Sequence, residues 1–247
     1  MTAPLLPVPE RPETIPISHL ARAAYCPRQL YYARRDDDFE PPARVAAVRD
    51  LAFAYEDLRT TSDEALADRP IEVSPATYRA NLAVLAERED YDALVDPGVR
   101  DAFLRGRDCH GIAHKLLGVA PDPDDSATEA SAETPPPTPT IVSPGTPPPR
   151  GVWEPQRVRA VAVAKALSWE YRRPIPRALV EYPTHGIVRT VRLTTRNKSA
   201  YRRVLWTVRS MSGVPARTDE TSKCDACEYR ETCGTKTRSL KTLLGLG

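Results

Sequence analysis

The sequence contains no long apolar run. Nowhere do about 18 apolar residues follow one another, which is the least a membrane-spanning helix needs. The stretch "MTAPLLPVPERPETIPISHL" lacks a basic start followed by an apolar core, so no secretory leader is expected and a cytoplasmic location is. No internal repeat is present, which excludes a solenoid. Cysteine is scarce: five residues in 247, too few and too unevenly placed for a disulfide framework. Lysine is scarce too, with 6 of the 35 basic residues against 29 arginines. Arginine grips a phosphate through two parallel N–H bonds, which lysine cannot do. Finally, the chain has almost no net charge, +2 in all.

That small total hides an asymmetry. Residues 1–140 hold 25 acidic and 15 basic side chains, whereas residues 141–247 hold 8 acidic and 20 basic ones. The first part is net −10 and the second net +12. A basic half of this kind calls for a polyanionic partner, and nucleic acid leads the candidates. A solvated basic surface is the plainer explanation. With 41% hydrophobic and 28% charged residues, a chain of this length buries a sizeable core in one large domain or two small ones.

Periodicity predicts a proline-rich, loose start over 1–16. A helix over 17–35 follows, with Ser18 as N-cap and a kink at Pro27. Further amphipathic helices are expected over 43–60 and over 74–89, the latter with Pro75 in its first turn. Residues 120–139 are rich in Pro, Ser, Thr and acid and read as a disordered or loop insertion. After it come an apolar helix over 154–172, strands over 177–183 and 187–195 around a "THG" turn, and a closing helix over 197–211.

The cysteines carry the most specific signal. "KCDACEYRETCG" places Cys224, Cys227 and Cys233 as C-x2-C-x5-C. Soft-metal sites usually take four protein ligands, and the missing one is assigned to Cys26 in "YCPRQLYY". Four thiolates suit either zinc or an iron–sulfur cluster. Lys223, Arg28 and Arg230 lie close in sequence to help hold the negative charge. Such a site staples the first helix to the segment 212–240. Cys109 is left over and reads as a small buried hydrophobe.

The segments "ISHLARAAYCPRQLYY" and "KCDACEYRETC" resemble the opening and closing motifs of RecB-like exonucleases that carry an iron–sulfur cluster, in particular the fourth CRISPR-associated protein family. Residues 151–211 are similar to that family's late helix, strand pair and closing helix, and Gln156 falls where such nucleases carry a glutamine. The resemblance covers most of the chain outside 120–139. It implies an α/β fold with a PD-(D/E)XK (restriction-endonuclease-like) core over 17–211, a mixed sheet flanked by helices. It also implies a cluster of the 4Fe-4S kind on Cys26, Cys224, Cys227 and Cys233. The partners it implies are DNA and other CRISPR adaptation proteins, with no membrane.

The family's chemistry uses His, Asp, Glu and Lys around Mn or Mg ions. In this chain Tyr55 stands where the histidine is expected. "GIAHKLLG" matches the G-x-x-D step, with His114 in place of the aspartate. "TIVSPGTPPPRG" matches the Glu-x-Lys segment but offers Ile141 and Ser143. The hydrolytic set is therefore missing. The function implied is DNA binding in spacer acquisition, with a degraded nuclease centre. Gln156, Arg157, Arg159, Arg172, Arg173, Arg202 and Arg203 are the candidate DNA contacts. Two alternatives stand beside it. One is an active exonuclease using other carboxylates, such as Glu129, Glu133 or Glu154. The other is a zinc-stapled adaptor that binds proteins. His114 with His110 as a transition-metal pair is a further possibility, against a purely structural role for both.

Overall fold

The computed structural model describes residues 13–36, 42–119 and 135–233. It is an α/β fold with one mixed six-stranded sheet between two layers of helices. The strands are β1 (Ile15–Pro16), β2 (Val99–Arg105), β3 (Cys109–Leu117), β4 (Thr138–Val142), β5 (Arg177–Tyr182) and β6 (Ile187–Arg192). β3 is the hub. β2 pairs antiparallel along it, β1 lies parallel at its start, and β4 lies antiparallel at its end. β4 then pairs parallel with β5, and β5 antiparallel with β6.

The two faces of the sheet follow from the two-residue period of a strand. Leu116, Ile141, Ala178 and Val180 join one core, and their neighbours Leu117, Val142 and Leu179 join the other. The first core is covered by α1 (Ile17–Tyr25), α2 (Pro27–Ala33), an apolar helix at Glu154–Glu170 and a closing helix at Thr195–Arg209. Between α2 and those helices the chain forms α3 (Ala43–Leu51), α4 (Tyr55–Thr60), α5 (Asp63–Ala67), α6 (Pro75–Ala86) and α7 (Tyr91–Val95), which cover the second core. The apolar helix is therefore α8 and the closing helix α9.

Several boundaries differ from the sequence reading, each for a local reason. The first helix breaks at Cys26, whose backbone is extended (φ −158°, ψ 116°), and Pro27 starts α2 because it lacks the N–H an inner turn would need. Its N-cap is Pro16, not Ser18, because Ile15–Pro16 is drawn into the sheet beside Cys109 and His110. The expected helix over 43–60 is two helices separated at 52–54, and the helix over 74–89 runs only Pro75–Ala86, capped by Ser74 Oγ accepting from Thr77 N–H. The insertion over 120–139 is shorter than expected at its far end, since β4 begins at Thr138. Its remainder over 120–134, like most of the loose start at 1–12 and the end of the cysteine segment at 234–240, lies outside the described residues. β2 and β3 were not expected as strands. The strand pair around the THG turn is present, and Gly186 there has φ +65°, with Leu82 and Tyr78 side chains 3.2–3.3 Å from where a Cβ would stand.

Candidate functional site

Two places concentrate chemistry. The first is the cysteine pocket. α1 ends at Tyr25 and the extended Cys26 turns the chain into α2. Against this corner lies the segment around α10 (Ser222–Asp225). Cys26, Cys224, Cys227 and Cys233 all line one small pocket, together with Tyr25, Tyr32 and Tyr229. All four cysteines are half-buried and none is in a disulfide. Burial pushes the Cys227 thiol up, and its neighbours Cys26, Cys233 and Cys224 push it further in the same direction. A soft cation bound here would have to displace the Cys227 proton, because thiols ligate as thiolates.

The segment is held there by groups other than sulfur. Tyr25 Oη donates to the Lys223 carbonyl at 3.0 Å, and Arg28 donates to the Cys233 carbonyl at 3.3 Å and the Pro215 carbonyl at 3.4 Å. Tyr229 Oη donates to Asp36 at 2.8 Å, and its ring stacks on Tyr32 at 6.1 Å. Arg22 and Glu228 form an ion pair at 3.4 Å. Of the three basic groups read from sequence, Arg28 binds the backbone of the segment, the Lys223 ammonium pairs with Glu220 at 2.8 Å, and Arg230 pairs with Asp225 at 3.4 Å. Among the described residues no three His, Cys, Asp or Glu side chains are grouped as a metal ion needs. The four thiols share one pocket without that grouping, and thiols are the donor type that zinc ions and iron–sulfur clusters take.

The second place is the middle of the sheet, where β3 and β4 meet. Ile141 is fully buried, on the face covered by α8. Ser143, just past β4, accepts a hydrogen bond from Gln156 Nε2 on α8 at 3.2 Å. His114 Nδ1 accepts from the Val142 N–H at 3.1 Å, and Arg159 donates to the Val142 carbonyl at 3.1 Å. Tyr55 does not join this group. It lies in the core on the opposite face of the sheet. Arg159 is turned inward, and burial lowers its pKa to about 10. Arg157 donates to the Val152 carbonyl, Arg203 pairs with Glu154 at 2.7 Å, and Arg202 donates to Ser199; the last two arginines are exposed. Arg172 is exposed and Arg173 half-buried.

His114 is half-buried, and desolvation followed by the nearby charges of Arg159, Arg49 and Lys115 lowers its pKa to about 3. The neutral ring accepts the Val142 N–H, which an imidazolium cannot. The folded state therefore binds this proton less readily than the unfolded chain, whose histidine titrates near 6.5. Stability present above pH 6.5 should fall as pH drops towards 3, by about 1 kcal/mol per pH unit from this group. His114→Gln should flatten that part of a melting-temperature profile. An unchanged slope would show that His114 is not the titrating group.

A constellation that the sequence reading passed over lies on the other face. Lys115 Nζ and Glu181 Oε2 are 2.8 Å apart and both side chains are fully buried. Lys115 also donates to the Ala52 carbonyl at 2.5 Å and the Leu94 carbonyl at 2.8 Å, which uses all three of its protons. Thr140 Oγ1 donates to Glu181 Oε1 at 2.5 Å. Tyr55 and Phe53 rings lie 4.9 and 5.0 Å from the ammonium. Burial lowers the Lys115 pKa and Glu181 partly offsets this. The signal was in the sequence: one lysine inside "IAHKLLG" and one glutamate after the apolar run of "RALVEYP".

No helix among the described residues is long and apolar enough to cross a membrane. Neither models of known protein families nor curated protein sequences match this chain.

Proposed function

We propose that the chain is a nucleic-acid-binding protein of the RecB-like kind, carrying an iron–sulfur cluster on Cys26, Cys224, Cys227 and Cys233 and lacking hydrolytic activity, with a role in spacer acquisition alongside other CRISPR adaptation proteins. The observation that carries it is the convergence of four cysteines, one of them 198 positions from the next, on one pocket. When bound, a cluster of this kind supplies a rigid cross-link between segments remote in the chain. The protein's own groups orient the cysteines: Arg28 and Tyr25 hold the backbone of the trio, and Pro27 fixes the turn that presents Cys26.

The lack of hydrolysis is argued from donor chemistry. Magnesium and manganese prefer carboxylate oxygen. The positions inferred for them hold an imidazole that is busy accepting an N–H, and a buried hydrocarbon. The nearest carboxylate–lysine pair, Glu181 and Lys115, is sealed from solvent and neutralises itself. Glu154, an alternative carboxylate, is occupied by Arg203; Glu129 and Glu133 lie outside the described residues.

One experiment tests both halves. Purified protein should bind single- and double-stranded DNA at low salt, with affinity falling by roughly 0.7–0.9 log units per phosphate contact per log unit of salt. The same samples incubated with manganese or magnesium should return intact DNA. Binding that ignores salt, or none at low salt, removes nucleic acid from the reading. Metal-dependent degradation lost on mutating some other carboxylate restores the active exonuclease.

A further inference from the structure

Away from both sites, the end of α8 and the β2–β3 turn enclose two neighbouring hollows. One is lined by Gly106, Arg107, Asp108, Lys165 and Tyr201, the other by Arg105, Glu170 and Arg172, and Ser168 with Trp169 lines both. Trp169 is 55% exposed; Trp153 and Trp206 are also more than half exposed, but Trp169 alone of the three stands at the rim of these two hollows. The charges around it are unbalanced. Asp108 is neutralised by Arg209 at 2.9 Å, and the Glu170 carboxylate accepts the Arg105 backbone N–H at 2.5 Å. That leaves the cations Arg105, Arg107, Lys165 and Arg172 against the single carboxylate of Glu170. The Arg105 guanidinium lies 5.4 Å from the ring of Phe103, which is itself 53% exposed.

An exposed indole among arginines is chemically suited to a nucleobase with a phosphate on each side. The base stacks on the ring, and the guanidinium groups take the phosphates. A duplex cannot offer this, because its bases are stacked on one another. We infer that Trp169, with Arg105, Arg107 and Arg172, forms a stacking platform for single-stranded DNA. This rests on the nucleic-acid reading above and adds to it a place and a strand preference. It also places recognition on the β2–β3 turn and the C-terminal end of α8, at neither the cysteine pocket nor the β3–β4 junction.

The test is a titration of a fluorescent oligothymidylate, and of a hairpin duplex of the same charge, with the full chain at two salt concentrations. Trp169→Ala should weaken oligothymidylate binding by about tenfold or more. It should leave the salt dependence and the duplex affinity unchanged, and Trp169→Phe should recover most of the loss. Arg105→Ala and Arg172→Ala should each lower the single-strand salt slope by about 0.7. Melting curves of each variant, matched to the parent, separate lost contacts from lost folding. If the parent binds the oligonucleotide and Trp169→Ala binds it equally, the platform is wrong while the nucleic-acid reading survives. If the parent binds neither probe at low salt, both fall. Equal loss on the duplex would also overturn the platform, since stacking then plays no part.

Discussion

Lys115→Met, with Glu181 left in place, is expected to destabilise the protein by about 3–5 kcal/mol. A domain of this kind has roughly 5–15 kcal/mol in hand, so the variant should be largely unfolded at modest temperature. The cause is the partner left behind. Glu181 is fully buried, and without the ammonium its charge is left with neutral donors such as the Thr140 hydroxyl at Oε1. The carbonyls of Ala52 and Leu94 lose a donor in the same step. Glu181→Gln alone should cost less, because the amide still accepts from Thr140 and retains a polar contact to Lys115. Lys115→Met combined with Glu181→Leu should regain most of the loss, since two apolar side chains pack where two charges needed each other. Chemical denaturation of Lys115→Met, Glu181→Leu and the double variant closes the cycle that gives the coupling energy. Single variants as stable as the parent would show that the pair is not closed in solution.

The pair also bears on how the strands form. Lys115 and Thr140 face each other across β3 and β4, while Glu181 comes from β5. The salt bridge therefore ties three strands in one register, and the carbonyls of Ala52 and Leu94 add the loop after α3 and the end of α7 to it. A slip of one residue would place Lys115 in the α8 core. Burying an ion pair here is consistent with specifying register more than with adding stability.

This explains which parts of the fold were legible. The late helix, the strand pair and the closing helix carry unbroken apolar periodicity, so α8, β5, β6 and α9 lie where the pattern put them. β2 and β3 do not carry it. "VRDAFLR" is exposed along much of its length, and "CHGIAHKLL" mixes Gly, His and Lys into a buried strand. Both become strands because they pair with each other, and β3 also with β4, a long-range condition that no local window contains. The same holds for Ile15–Pro16, a two-residue strand that exists only because β3 has an open edge there. The sequence singled out Cys26 with the trio by residue type and spacing, and the fold places all four on the lining of one pocket, across 198 positions. The Lys115–Glu181 pair needed its partners' positions before a lysine in an apolar strand made sense. The arginines were misread in part for a related reason. Arg159 has the composition of a phosphate contact, but its place on α8 turns it towards Val142.

Cys227→Ser is expected to have the largest effect of all. The Cys227 thiol feels Cys26, Cys224 and Cys233 around it, so its loss removes one of the four donors beside the other three. Metal-linked folding energies in small zinc domains reach the order of 10 kcal/mol. Here the contribution is smaller to the extent that the tail is already held by Tyr25, Arg28, Tyr229 and Arg22. Those contacts are half-exposed hydrogen bonds and one ion pair, each contributing about 1 kcal/mol or less. They orient the segment more than they hold it. The parent protein, purified without oxygen, should be brown with broad absorbance from the cluster, whereas the variant should be colourless. Its segment beyond residue 212 should be cut quickly by protease, and its melting temperature should drop by many degrees. Cys109→Ser serves as the contrast. Cys109 sits in the main core, bonded to Tyr201 and the Ala162 carbonyl, and burial raises its thiol pKa to about 11. That substitution should leave the colour intact. A colourless parent containing stoichiometric zinc would keep the cross-link and replace the cluster. A Cys227→Ser protein with parental melting and protease resistance would show that the four cysteines meet without binding anything that the fold requires.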